Sequence, residues 1–81
     1  MKITFDPPKR AKTLQERGLD MADLTMDFFE AATVFEAKKG RLMAIGVFRG
    51  TVVTVIFELL GTQALSVVSM RRASRKERRT L

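Results

Sequence analysis

The residues of this chain that could do chemistry are arginines, lysines and carboxylates, because His, Cys and Tyr are all absent. They are unevenly spread. The stretch SVVSMRRASRKERR, Ser66 to Arg79, sets Arg71, Arg72, Arg75, Lys76, Arg78 and Arg79 against the single acid Glu77. It therefore carries five of the chain's six net positive charges. Arginine suits anionic oxygen, since its planar fork offers paired donors and stays charged. Such a footprint binds polyanions, nucleic acid among them, or an acidic protein surface, without specifying which. No metal site is expected: thiolate and imidazole ligands are missing, and the acids are scattered singly rather than gathered in a calcium-type loop.

Elements must carry these cations to a surface. With 81 residues and 46% apolar composition the chain makes one domain, residues 1–81, near the smallest size that folds on its own core. KITF reads as a short opening strand that stops at Asp6-Pro7-Pro8. Asp before Pro starts a helix, with the Asp side chain expected to cap free N–H groups. The helix runs to about Arg17 and ends at Gly18. Lys9, Arg10, Lys12 and Arg17 make it basic. Asp20, with Asp23 three residues on, opens a second helix in the manner of a capping box. Met21, Leu24, Phe28 and Phe29 fall near helical spacing within it, and TVFE after it is a short strand.

From Arg41 the chain reads as sheet. LMAIGVF and TVVTVIFELL are joined by Arg49-Gly50 as a two-residue hairpin turn, and ALSVVSM follows after Leu60-Gly61-Thr62. In the middle strand Val53, Val55, Phe57 and Leu59 share an apolar face that should meet the helices. Val52, Thr54, Ile56 and Glu58 lie opposite, and Glu58 marks that face as partly open. Ser74 and Glu77 form a further capping box, so a short basic helix begins at Arg75. It has almost no apolar residue and is expected to be weakly held. TVVTVIFELLGTQALSVVSM is also long enough to span a bilayer, but Glu58 near its centre would cost about 2.5–3.5 kcal/mol. Its Val and Thr content and the LGT break suit two strands better. No membrane contact is therefore expected. MKITFDPPKR lacks the apolar core of a secretion signal, so a cytoplasmic location is the expectation.

These motifs resemble the BrnT toxins of bacterial type II toxin–antitoxin systems over nearly the whole chain. FDPPKRAKTLQERGLD is similar to that family's opening of an aromatic, an Asp, a Lys three residues on and a helix closed by Gly; Phe5, Asp6, Lys9 and Gly18 match. Arg41 leading into AIG and a hairpin matches the middle. SVVSMRRAS matches the end, with Ser69, Arg71, Ala73 and Glu77 in place. Thr13 and Arg17 stand where many members have Asn and His, and Ser66 where many have Arg. The resemblance implies an α+β fold of the RelE-like kind: two N-terminal helices packed on a small curved antiparallel sheet, with a short basic C-terminal helix. It implies a toxin that cleaves RNA without a metal or cofactor and so restrains translation and growth. The implied partner is a ribbon-helix-helix antitoxin of the BrnA type, and operator DNA is bound only through their complex.

RNA brings its own nucleophile, the 2′-hydroxyl, so a cleaving enzyme must orient that oxygen, stabilise the phosphorane and help the 5′-oxygen leave. Arg71 and Arg41 rank first as phosphate clamps. Lys9 follows as RNA contact or proton donor; an ordinary lysine titrates at about 10.4, and Arg10 and Lys12 are the cationic neighbours that would lower it. Glu58 on the open face is the carboxylate alternative for proton transfer. Arg72, Arg75, Arg49 and Lys12 are expected to contact the RNA backbone. Two rival readings remain, a non-catalytic nucleic-acid-binding module and a chain that only binds its antitoxin as co-repressor. The six Phe are expected mostly in the core and not as stacking platforms for bases.

Overall fold

Proline and aspartate set the first boundaries. In the computed structural model, which describes residues 1–81, strand β1 (Lys2–Phe5) ends at Asp6 and helix α1 (Pro7–Arg17) opens with the two prolines in its first turn. Proline there gives up an N–H that would be unpaired anyway. Asp6 has the extended backbone of a cap, but its side chain makes no capping bond, contrary to expectation. Gly18 closes α1 in the left-handed conformation, its N–H donating to the Leu14 carbonyl.

The second helix departs from the sequence reading. Asp20 opens only a single 3₁₀ turn, Met21–Asp23, and α2 (Met26–Ala31) starts afresh after Thr25. The Asp20 carboxylate accepts from the Ala22 N–H, and Arg10 grips both its oxygens at 2.7 and 2.9 Å. Asp23 turns instead to Arg49, 3.1 Å away, so no reciprocal capping box forms. Leu24 has extended backbone and buries its side chain, which breaks the helical run.

The rest is sheet and one helical turn: β2 (Thr33–Glu36), a 3₁₀ turn at Lys38–Gly40, β3 (Leu42–Phe48), β4 (Thr51–Leu60), β5 (Ala64–Arg72) and α3 (Arg75–Arg78). Spatial order is β1-β5-β4-β3-β2. Strands β2 to β5 pair antiparallel, whereas β1 runs parallel to β5, with Lys2 opposite Ala64 and Phe5 opposite Val67. The sheet is thus mixed, not wholly antiparallel. The helical segment carries the chain from one sheet edge to the other, and three reversals then bring β5 back beside β1. At the β3–β4 turn Arg49 and Gly50 have φ of 50° and 78°, the double positive φ of a tight hairpin.

Val53, Val55 and Phe57 pack with Ala44, Leu65, Val67 and Met70 against Leu19, Met21, Leu24, Phe28 and Phe29. The Phe29 ring meets Phe28 and Phe57 edge-on, centroids 5.2 and 5.0 Å apart. Gly46 permits α2 to lie close on β3: a Cβ there would stand 3.0 Å from Ala32 Cβ and 3.1 Å from Phe28 Cε1. Leu59 does not join this core as expected; it is 54% exposed, since the packed part of β4 stops at Phe57. The apolar run Thr51 to Met70 is taken up by β4 and β5, and no helix is long and apolar enough to cross a membrane.

Candidate active site

One irregularity decides which side chains reach the open face. Strict alternation along β5 would put Ser69 and Arg71 on the same side as Leu65 and Val67, which is the core side. A bulge intervenes: Ile56 lies opposite Ser69 while Phe57 lies opposite Val67, so Val68 is the extra residue. Past it the faces exchange. Met70 enters the core, and Arg71 projects from the open face beside Thr54.

On that face Thr54, Ile56 and Glu58 of β4 stand opposite Arg71, Ser69 and Ser66 of β5, with Ile45 and Met43 of β3 opposite Thr54 and Ile56. Arg41, just before β3, donates from Nε to Glu58 Oε1 at 2.9 Å. Arg71 donates from Nη1 and Nη2 to Glu77 Oε1 and Oε2, at 2.7 and 2.9 Å. Glu77 Oε1 also accepts from Thr54 Oγ1 at 3.0 Å and from the Ser74 N–H at 2.8 Å. Ser74 Oγ accepts from the Glu77 N–H, which completes the capping box. Polar bonds therefore seat α3 on the sheet where an apolar stripe would otherwise be needed. The paired guanidinium, with the Ser74 and Thr54 donors, holds the Glu77 carboxyl down to about 2 against the cost of burial, and Arg71 is raised in return.

A cavity of about 530 Å³ opens on this face, walled by four cations, Lys38, Lys39, Arg41 and Arg71, and one acid, Glu36, over Met43 and Ile56. A second of about 340 Å³ shares Met43 and adds Phe35, Ile45, Lys76 and Glu77. Of the residues nominated from sequence, Arg41 and Arg71 line the larger of these cavities together, and Glu58 is joined to them through its bond to Arg41. Lys9 and Lys12 are exposed on α1 and line neither cavity. Arg10, counted as a cationic neighbour of Lys9, is committed to Asp20, whose carboxyl it lowers to about 2 chiefly through their hydrogen bonds. Lys12 faces Glu16 at 3.9 Å. Arg49 pairs with Asp23, packs 5.3 Å over Phe48, and with Arg72 lines a separate groove at the hairpin end. Arg75 is exposed on α3.

Four residues of this face were missed, and two of them, Lys38 and Lys39, read in sequence only as a polar connection. Glu77 was legible as a local capping residue, but nothing in sequence pairs it with Arg71. Phe35 was grouped with the core aromatics, yet on edge strand β2 it is 37% exposed and lines the apolar cavity.

A sheet backed by helices on one face, with arginines gathered over an apolar floor on the other, defines a small α+β protein whose cationic surface suits a phosphodiester chain. Comparison with known proteins agrees. The family model described as "Ribonuclease toxin, BrnT, of type II toxin-antitoxin system" matches residues 5–77, and the chain belongs to that family. Among solved structures it is similar to the crystal structure of the Brucella abortus ribonuclease toxin, BrnT, at 53% identity and a TM-score of 0.85, over 93% of this chain and 99% of that one. No curated protein sequence matches.

Proposed function

We propose that this chain is a RelE-like endoribonuclease that works without a metal ion and uses the open sheet face as its active site. The observation that carries the reading is the convergence of Arg41, Glu58 and Arg71: both arginines wall one cavity, and Glu58 is bonded to Arg41. In the proposed reaction the 2′-oxygen attacks the adjacent phosphorus as the P–O5′ bond breaks, leaving a 2′,3′-cyclic phosphate and a 5′-hydroxyl. The arginines hold the non-bridging oxygens and offset the charge that builds on the phosphorane. The Glu58 carboxylate receives the proton of the 2′-hydroxyl, and Lys38, Lys39 or water supplies one to the leaving oxygen. Phe35 offers a ring on which a neighbouring base stacks.

The partner we propose is a ribbon-helix-helix antitoxin of the BrnA type, which neutralises the toxin in the cytoplasm and brings it to operator DNA. Support for an acidic partner comes from Arg72, Arg75, Arg78 and Arg79, which are exposed, make no ion pair within the chain and lie outside the cavity.

The test is induced expression in a bacterial host, with wild type beside Arg41→Ala, Glu58→Gln and Arg71→Lys, following growth and RNA integrity. Arg71→Lys is preferred to Ala because Arg71 also anchors α3. Loss of a charge-stabilising donor such as Arg41 is expected to slow cleavage on the order of a hundredfold. Intact RNA with wild type, or equal cleavage by Arg41→Ala, overturns the reading.

A further inference from the structure

We infer that Glu77 is the positioning residue for Arg71, holding its guanidinium by the end so that the side edge, Nε–H with one N–H of Nη2, is presented to a phosphate of the RNA. This rests on the reading of the open face as the RNA site. A guanidinium has two bidentate edges, the pair of terminal nitrogens and the Nε side. Glu77 takes the first, through both its oxygens, and the Arg72 carbonyl accepts a longer bond of 3.4 Å from Nη1. Nε donates to nothing within the chain.

The two cavities separate the members of the pair. Arg71 walls the basic cavity with Lys38, Lys39 and Arg41, whereas Glu77 lines only the apolar neighbour. Glu77 therefore stands behind Arg71 and not between it and the substrate. A blocking latch would need the opposite arrangement, with the carboxylate inside the basic cavity. Glu77 is itself immobilised by Thr54 Oγ1 and the Ser74 N–H, and its side chain is 16% exposed against 41% for Arg71. A clamp fixed in this way surrenders little side-chain freedom when phosphate binds, so more of its binding is realised in the transition state.

The experiment is a double-mutant cycle of Glu77→Gln and Arg71→Lys. It reads kcat and KM on a short RNA, Kd for the 2′-deoxy oligonucleotide of the same sequence, and thermal melting for folding. Glu77→Gln keeps an acceptor for Thr54 and Ser74 but turns one Arg71 contact into two facing donors. Misplacing a clamp in this way is expected to cost roughly tenfold to a hundredfold in kcat, with a smaller but measurable rise in KM and Kd, and no further loss in the Arg71→Lys background. An unchanged or raised kcat overturns the inference, as does a loss that multiplies in full with Arg71→Lys, the mark of a merely structural residue. If the wild type does not cut RNA, the catalytic reading falls and the inference is judged on Kd alone. Weakening by Glu77→Gln only where Arg71 is present sustains it; an unchanged Kd overturns it. Should Glu77→Gln not fold, Thr54→Val removes one bond to Glu77 and leaves the Arg71 pair, and a smaller kcat loss that vanishes with Arg71→Lys is the expected result; full additivity overturns.

Discussion

Arg71 and Arg41 use their charge differently. Arg71 is tied into the fold through Glu77, with four hydrogen bonds converging on that one carboxylate. Because the folded Glu77 carboxyl sits at about 2 and its ordinary value is 4.5, its stabilising contribution is complete above pH 4.5 and disappears as pH falls toward about 2. Thermal melts of wild type and Glu77→Gln should therefore differ at neutral pH and converge across that window; parallel curves would mean the pair is not held in solution. Arg41 is different, for its pair with Glu58 is partly exposed, with side chains 36% and 41% accessible. Arg41→Ala should change stability by no more than about 1 kcal/mol while removing most cleavage. Denaturant unfolding beside the RNA assay checks both halves.

Among the elements, β3 and β5 place the site and α3 completes it. Helix α2 can lie on β3 because Gly46 leaves room for Ala32 and Phe28, so Gly46→Ala is expected to cost about 1–3 kcal/mol by overpacking. Chemical denaturation measures it, and a neutral result would show that α2 can slide away without loss. The bulge at Val68 exchanges the faces of β5 midway, which lets Met70 fill the core and Arg71 reach the cavity from neighbouring positions. Helix α3 was expected to be weakly held for want of apolar residues; its seating by Glu77 shows how a four-residue helix can dock through one carboxylate.

At the scale of the whole molecule, a net charge of +6 on 81 residues gives RNA binding a strong salt dependence. For a non-cleavable single strand, Arg41→Ala should reduce the slope of log affinity against log salt by about 0.7, the release of one counterion. Lys9→Ala, on α1 and outside the lining of both cavities, should leave that slope unchanged. Titrations at several ionic strengths decide it, and a reduced slope for Lys9→Ala would extend the RNA path over α1.

Much of the architecture was legible because it is written in local chemistry. Prolines in the first turn of α1, Gly18 at its end, the Arg49-Gly50 turn and the Ser74–Glu77 box each act within a few residues of themselves. So does the alternation that put Val53, Val55 and Phe57 inward and Glu58 outward. The absence of His, Cys and Tyr also left arginine, lysine and carboxylate as the means of any RNA chemistry. What the sequence could not decide depends on partners distant along the chain. The helix opened at Asp20 stopped after one turn because Leu24 takes extended backbone and buries its side chain, and Arg10, one of the two cations counted beside Lys9, is committed to Asp20. Phe35 stayed exposed because its strand lies at the sheet edge. Arg71 reached the open face because the β4–β5 register slips by one residue at Val68, a choice made by packing Val67 and Met70 together in the core. Local propensity fixes where elements begin and end; only the packed core, by selecting that register, determines which side of the sheet an arginine occupies.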